Sequence, residues 1–144
     1  MGDAERRREI DAVDLVPGDI VIVEDGDRIA FGTVEITVSA TPGHTSGHLA
    51  YHAPAANSGG GAVFSGDCLF SLGCGRLFEG TAAQMWASLC RLRALPPDTL
   101  VCCGHEYTAT NARFALTLEP DNPELLDRAA DVDNLRDLDR PTVP

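Results

Sequence analysis

The sequence has few basic side chains for its length. Its 144 residues carry 11 Lys and Arg against 22 Asp and Glu, which gives a formal net charge of −11. Proteins that bind a nucleic-acid backbone need a basic face, so this balance argues against nucleic acid as a partner. An anionic substrate would need a local cation to overcome the negative field of the whole chain.

Long apolar runs are also missing. No stretch approaches the roughly 18 apolar residues that a membrane-spanning helix needs, so we expect no membrane partner. The beginning of the chain, MGDAERRREIDAVD, has no apolar segment after its arginines and differs from a secretory signal. We predict a frayed or disordered N-terminus over residues 1–14 and an intracellular protein. A cytoplasmic location is expected, with a mitochondrial one left open.

Cysteine spacing typical of a disulfide framework or a zinc ribbon is absent. The five cysteines are odd in number, two of them are adjacent, and no C-x-x-C occurs; they are Cys68, Cys74, Cys90, Cys102 and Cys103. We expect reduced thiols, as in an intracellular protein. Cys90 falls inside a helical pattern and is predicted to lie in the core.

The first part of the chain is rich in strand patterns. Apolar and β-branched runs separated by turn residues predict strands at residues 20–24, 28–31, 34–40, 49–53, 62–67 and 99–104. Residues 28–40 are predicted to form a hairpin. The Gly- and Ser-rich segment at 54–61 predicts a flexible loop, and residues 71–80 predict an irregular one.

Three helices are predicted in the second part. Thr81 and Gln84 have the spacing of a capping box at the start of the first helix. Its apolar positions form a stripe at helical spacing that predicts core packing, at Met85, Trp86, Leu89 and Leu92. A second helix is predicted over residues 108–118. Asn122 is predicted to cap a third, with Pro123 at its first position.

The order of elements predicts a layered α/β or α+β domain, because helices return onto a sheet. At this length one domain is expected, spanning residues 1–144. The composition becomes highly charged towards the end, and we predict a charged C-terminal tail over residues 127–144.

A candidate metal site is suggested by three strand ends. His44, Asp67 and His105 each follow a predicted strand, and each is preceded by a glycine that permits a tight turn. Imidazole and carboxylate groups are ligands for zinc, iron or manganese, and loops at strand ends often carry such ligands. A structural role for each histidine stays open on spacing alone. If the three do form a metal site, their side chains must converge at one edge of the sheet.

The remaining chemistry-bearing residues have simpler interpretations. His48 and His52 flank a predicted strand, and a hydrogen-bonding role is expected for both. Cys103 and His105 are close in sequence and could form a nucleophilic pair. That alternative is disfavoured, because neighbouring side chains along a strand point to opposite faces.

Several longer stretches resemble the glyoxalase II (hydroxyacylglutathione hydrolase) branch of the metallo-β-lactamase superfamily. They are TPGHTSGH, VFSGDCLFSLGCGRLFEGT, LPPDTLVCCGHEYT and NARFALTLEPDNPEL, and the resemblance extends from about Asp19 to Leu126. It implies a partial αββα sandwich. It also implies a thioester hydrolase that releases D-lactate and glutathione from S-lactoylglutathione by means of a metal-bound hydroxide.

The resemblance implies roles for the three candidate ligands and for the cofactor. His44 corresponds to a ligand of a first metal, and His105 to a ligand of a second. Asp67 corresponds to the carboxylate that bridges both and is therefore catalytic. The expected cofactor is a pair of divalent metals, with zinc first and iron or manganese as alternatives.

The same resemblance implies a substrate-binding group. Arg76 stands where the family has a basic residue against glutathione, and Tyr107 where a tyrosine hydroxyl contacts the same peptide. Phe78 stands at a further contact position that is often Tyr. The expected substrate is a small-molecule thioester of glutathione or a related thiol.

The family's T-H-x-H-x-D-H motif does not occur, and the four histidines include no H-x-H. The resemblance places that motif before Met1 and a C-terminal helical region after the last residue. The chain then resembles the second half of the catalytic domain, with two protein ligands for each metal. We expect this chain alone to be incomplete as an enzyme and to self-associate through an exposed sheet face.

Two alternatives stay open. A sister branch, the persulfide dioxygenases, uses a single iron and also has a G-C-G-R loop, although GHEYT and LFEGT favour glyoxalase II. The chain could also be an inactive fragment, or a binding module that depends on a partner polypeptide.

Overall fold

The computed structural model describes residue 16, residues 20–56 and residues 59–142. The predicted N-terminal segment 1–14 lies outside the described residues. Within them the elements, in chain order, are β1 (Arg28–Phe31), β2 (Val34–Ala40), β3 (Leu49–Ala53), β4 (Ala62–Gly66), β5 (Leu69–Phe70), β6 (Gly73–Cys74), α1 (Ala82–Arg93), β7 (Leu100–Cys103), α2 (Thr108–Leu118) and α3 (Pro123–Asp137).

One mixed sheet organises the molecule, with strand order β1-β2-β3-β4-β7. Strands β2 and β4 are both antiparallel to β3, so they run in the same direction, and β7 runs parallel to β4. The C-terminal ends of β2, β4 and β7 therefore lie at one edge of the sheet. This edge carries the residues that follow each of the three strands.

Most predicted strands are confirmed, but the one at residues 20–24 is wrong. That segment forms no strand, and Ile20 is 89% exposed. An apolar run becomes a strand only where a neighbour completes its backbone hydrogen bonds. Here the chain instead closes a turn, in which the Asp27 N–H donates to the Glu24 carbonyl and the Glu24 N–H donates to the Asp27 carboxylate.

Helix α1 covers one face of the sheet and forms the core with it. It begins at the predicted capping box, with reciprocal bonds between Thr81 and Gln84. The buried cluster joins residues of both layers, namely Ala50, Val63, Cys68, Met85 and Leu92. Trp86 was predicted in this stripe and is instead 61% exposed. It is one position after Met85, about 100° further round the helix, where the Arg93 guanidinium lies over its ring.

The other face of the sheet has no such cover in the part of the chain that the structure describes. Val63 is 2% exposed on the α1 side, whereas its neighbour Phe64 is 48% exposed. Phe64 pairs with Tyr51 on one side and Cys102 on the other, so these side chains share the open face. The described residues thus form a five-stranded sheet with α1 on one face, which confirms the partial α/β fold.

Helices α2 and α3 form a second unit against each other and begin where the sequence predicts. The Asn122 side chain accepts bonds from Glu124 and Leu125 N–H groups and caps α3. The end of the described chain is fastened to this unit, because the buried Thr142 donates from its N–H and its hydroxyl to the Glu106 carboxylate. No helix among the described residues is long and apolar enough to cross a membrane.

Two local details differ from or refine the predictions. Residues 71–80 are not wholly irregular, because β5 and β6 form a short hairpin whose Ser71 carbonyl accepts a bond from Asn111. Cys90 is half-buried at the end of α1 rather than fully in the core. All five cysteines are free thiols, as predicted.

Candidate metal centre

Three side chains meet at the sheet edge where β2, β4 and β7 end. Nε2 of His44 lies 3.3 Å from Oδ2 of Asp67, and Nε2 of His105 lies 3.4 Å from the same oxygen. The predicted convergence is confirmed. It follows from the strand directions, because three parallel ends bring three following residues together. The role of these residues as metal ligands stays a prediction.

Glycines make this close approach possible. Gly66 precedes Asp67 with φ +50°, a left-handed conformation that favours glycine. A Cβ on Gly104 would lie 2.5 Å from Oδ1 of Asp67, inside any permitted contact. A side chain at Gly104 would displace the carboxylate, whereas a Cβ on Gly66 would lie 2.9 Å from Nε2 of His48 and displace that ring.

The His44 ring is oriented by the backbone of another loop. Its Nδ1 lies 2.9 Å from the carbonyl oxygen of Arg76. A carbonyl oxygen only accepts, so Nδ1 carries the proton, and in the neutral ring Nε2 presents a lone pair towards Asp67. A lone pair facing a carboxylate oxygen is repulsive unless a proton or a cation lies between them. This arrangement fits a metal ligand, since ligating histidines typically donate their other N–H to a carbonyl or carboxylate.

His48 supports Asp67 through its backbone N–H. The Asp67 N–H donates to Nε2 of His48 over 3.2 Å, and the opposite Nδ1 lies 2.8 Å from the Thr41 hydroxyl. Burial, and then the charge of His44, lower the pKa of His48, although Asp67 opposes them. Because Nε2 accepts from the Asp67 N–H, the His48 ring is neutral in this arrangement and its proton is on Nδ1. The predicted hydrogen-bonding role is confirmed for His48, and also for His52, whose Nε2 lies 2.8 Å from the Gly60 carbonyl.

The spacing of the three candidate ligands matches metal coordination. Two ligands of a tetrahedral zinc ion, each at about 2.0–2.1 Å, lie about 3.4 Å apart. Each histidine has this separation from Asp67. Among the described residues, however, no three His, Cys, Asp or Glu side chains are arranged to hold one metal ion. The three donors therefore form two pairs that share Asp67.

The predicted substrate-binding residues surround the same edge. The Phe78 ring lies 4.9 Å from the His44 ring, and the Tyr107 ring stacks on His105 with centroids 5.0 Å apart and planes 18° apart. Both aromatic side chains are well exposed. The exposed Arg76 side chain makes no hydrogen bond or ion pair with another described residue. The structure thus places two aromatic rings directly against the candidate ligands.

The alternative nucleophilic pair is not supported. Sγ of Cys103 lies 3.3 Å from the backbone carbonyl of His105 and donates to it. The imidazole of His105 points instead towards Asp67. A thiol engaged with a carbonyl is not activated by the neighbouring ring.

One residue near the site was missed from the sequence. The Glu79 carboxylate accepts bonds from both the N–H and the hydroxyl of Ser46, two residues after His44. An acidic residue in an exposed loop has no periodicity or spacing that predicts such a contact. Only the folded arrangement of the two loops brings it to the site.

Comparison with known families agrees with this geometry. Residues 1–105 match the family described as "Metallo-beta-lactamase superfamily". The chain belongs to the metallo-beta-lactamase superfamily. Residues 106–144 match "Hydroxyacylglutathione hydrolase C-terminus". Helices α2 and α3 therefore belong to that C-terminal region. The expectation that this region begins after the last residue is wrong.

Curated relatives identify the branch within the superfamily. The chain is 56% identical over 136 residues to the hydroxyacylglutathione hydrolase of Ruegeria pomeroyi, covering 94% of the chain and 51% of that protein. It is 54% identical over 143 residues to the hydroxyacylglutathione hydrolase of Rhodospirillum rubrum, covering 99% of the chain and 51% of that protein. The chain thus spans about half the length of these relatives. The resemblance to the glyoxalase II branch is confirmed.

Solved structures share the fold. ETHE1 from Myxococcus xanthus is 38% identical with a TM-score of 0.54, and the match covers 67% of this chain and 42% of that one. The di-iron-bound form of TTHA1623 is 41% identical with a TM-score of 0.50, covering 62% of this chain and 42% of that one. Membership of this superfamily implies binding of divalent metal.

Proposed function

We propose that this chain is the metal-bridging part of a glyoxalase II-type thioester hydrolase, which releases D-lactate and glutathione from S-lactoylglutathione. The observation that carries the proposal is the approach of two imidazole Nε2 atoms to one carboxylate oxygen, from His44 and His105 to Asp67. The high identity to two hydroxyacylglutathione hydrolases supports it.

In this proposal His44, Asp67 and His105 would hold a pair of divalent metals. When bound, such metals lower the pKa of a water molecule and polarise a carbonyl oxygen, which are the two requirements of ester hydrolysis near neutral pH. Zinc is the first expectation. Iron is supported by the relative TTHA1623, which binds two iron ions, and manganese is a further alternative by ligand type.

The residues of this chain also supply substrate contacts. The backbone of Arg76 contacts His44, and its exposed side chain is a cation in a protein of net charge −11. Arg pairs well with carboxylates. The Tyr107 hydroxyl and the Phe78 ring complete an amphipathic wall next to the two histidines. A small thioester of glutathione, or of a related anionic peptide thiol, fits this combination of charge and aromatic surface.

Further ligands are required, because catalytic zinc usually has three or more from protein. The remaining histidines, His48 and His52, are engaged in hydrogen bonds. All four histidines of the chain lie within the described residues, so additional imidazoles must come from outside these 144 residues. Metal affinity depends on the complete ligand frame, and we therefore expect the isolated chain to bind metal weakly and to hydrolyse little thioester.

A complementation assay tests the proposal. The chain is combined with the part of the Ruegeria pomeroyi relative that it does not match, metal is added, and hydrolysis of S-lactoylglutathione is measured. We expect the mixture to hydrolyse the thioester. Asp67→Asn should abolish this activity, and the exposed control Asp98→Asn should retain it. A mixture that binds two metals and leaves the thioester intact would contradict the proposed activity.

A single-iron persulfide dioxygenase is the second candidate. The 54–56% identity to hydroxyacylglutathione hydrolases favours the hydrolase over this candidate. Metal analysis of the active mixture, together with an oxygen electrode, separates the candidates. One iron per chain with oxygen consumption would support the dioxygenase, whereas two metals with thiol release and no oxygen uptake would support the hydrolase.

The open face of the sheet and the free thiols indicate how the chain associates and where it is located. The open sheet face, with Phe64 half-exposed, would bring copies of the chain together or bind a partner polypeptide. A partner-dependent module is therefore the non-enzymatic alternative for the isolated chain. A cytoplasmic location is supported by the five free thiols, which fit a reducing compartment.

A further inference from the structure

Glu79 joins two loops at the candidate metal centre. It follows β6, and both bonds that its carboxylate accepts come from the turn after β2. The N–H of Ser46 donates to Oε2 over 2.7 Å, and the Ser46 hydroxyl donates to the same oxygen over 2.8 Å. Bonds to a charged acceptor are stronger than bonds between neutral groups. In agreement, the N–H and then the hydroxyl of Ser46 lower the pKa of Glu79.

The backbone connects the same two loops at neighbouring positions. The Phe78 N–H donates to the His44 carbonyl over 3.2 Å, and the Gly80 N–H donates to the Gly43 carbonyl over 3.1 Å. These two bonds hold the beginning of the turn. The Glu79 side chain reaches past them and holds Ser46, so the turn is fixed on both sides of His44.

The His44 ring depends on the relative position of these loops. Its Nδ1 binds the carbonyl of Arg76, which is three residues before Glu79. A sliding of the turn against the loop would lengthen this bond between ring and backbone. Without it, a neutral imidazole has no fixed choice of nitrogen for its proton, and Nε2 would no longer be kept as the acceptor that faces Asp67.

We propose that Glu79 is a positioning residue for His44. By binding Ser46 it keeps the Nδ1 proton of His44 on the Arg76 carbonyl and leaves Nε2 directed at Asp67. The same loop carries Arg76 and Phe78, so Glu79 also fixes the candidate substrate contacts relative to the candidate ligand. The metal-binding part of this inference rests on the proposed function.

The Nδ1–H of His44 provides a direct test that needs no substrate. The 144-residue chain is labelled with ¹⁵N-histidine and saturated with zinc, and solvent exchange of this ring proton is measured. We expect slow exchange, because the Arg76 carbonyl holds the proton. Glu79→Ala should speed this exchange, and zinc affinity should fall about tenfold, as for lost outer-shell partners of metal ligands.

Two further variants separate positioning from a general loss of stability. Both bonds end on one oxygen, so the amide oxygen of Glu79→Gln can accept both. This variant should retain the slow exchange of the ring proton and most of the zinc affinity. Glu35→Ala removes an exposed carboxylate that pairs with Arg28 away from the site, and it should change neither property.

The results that would overturn the inference are distinct. Unchanged exchange of the His44 ring proton in Glu79→Ala, even with a lower melting temperature, would assign Glu79 a structural role only. A Glu79→Gln variant as impaired as Glu79→Ala would overturn the inference that the shared acceptor oxygen positions the turn. Failure of thioester hydrolysis would contradict the proposed function and leave the exchange result standing.

Discussion

The Asp67 N–H donates to Nε2 of His48 over 3.2 Å, so one histidine fixes the backbone of the residue that two other histidines face. Thr41 in turn holds the Nδ1 side of the same ring. Asp67 is thus positioned from the backbone side by a neutral imidazole, while its carboxylate is left for the open edge of the sheet.

Removing this support should loosen Asp67. His48→Ala leaves the half-buried Asp67 N–H without its partner, which costs about 1–3 kcal/mol, and zinc affinity should fall about tenfold or more. Chemical denaturation and zinc titration measure the two effects. His48→Gln, which offers an acceptor oxygen, should recover part of both. His52→Ala removes a bond to a carbonyl away from the site, and zinc affinity equal to that of His48→Ala would contradict the assignment.

Arg76 should contribute to substrate binding and not to the chemical step. Loss of one charge-assisted bond of about 1.5–3 kcal/mol predicts that Arg76→Ala raises KM for S-lactoylglutathione about tenfold or more, with kcat little changed. The measurement uses the complemented activity described above. Arg113→Ala is the matched control, since that guanidinium bonds within α2. An unchanged KM in Arg76→Ala would remove the residue from the substrate site.

Tyr107 should have two separable effects, one through its hydroxyl and one through its ring. Tyr107→Phe keeps the ring stacked on His105 and should raise KM alone. Tyr107→Leu also removes the stacking, which is worth about 0.5–1.5 kcal/mol, so zinc affinity should fall roughly twofold to tenfold as well. Equal zinc affinity in the two variants would show that stacking does not support His105.

The open sheet face should cause self-association of the chain. Burying the exposed part of Phe64 contributes on the order of 1 kcal/mol, so Phe64→Glu should raise the dissociation constant of a dimer about tenfold or more. Light scattering over a concentration series measures this. Phe114→Glu, on the exposed surface of α2, is the control. If both variants associate as the unaltered chain does, the sheet face is not the interface.

Acid should weaken the attachment of the C-terminal residues to α2. Burial raises the pKa of Glu106, but bonds from Thr142 and Thr108 outweigh it and lower the pKa to about 2. The folded state therefore prefers the ionised carboxylate, and this contribution is present above the ordinary pKa near 4.5 and lost as pH falls towards 2. The difference in Tm between the unaltered chain and Glu106→Gln should shrink across this window. A difference independent of pH would contradict the bonds.

Local patterns in the sequence predicted most of the elements. The capping box at Thr81, the Asn122 cap followed by Pro123, and the β1–β2 hairpin all appear as predicted, because each depends on bonds among residues close in the chain. The segment at 20–24 and the side of α1 on which Trp86 lies were predicted wrongly. Both depend on which strand or helix packs against the segment in the folded chain, and an apolar pattern does not specify that partner.

The sequence by itself determined the candidate ligands at three strand ends and, through its motifs, the superfamily to which the chain belongs and the branch that it resembles. Only the tertiary structure decided how those donors are held. The strand directions bring His44, Asp67 and His105 to one edge, and contacts from distant loops fix the rings of His44 and His48. Such contacts join residues more than fifteen positions apart, and their geometry depends on how strands and loops pack, which no local pattern of residues encodes.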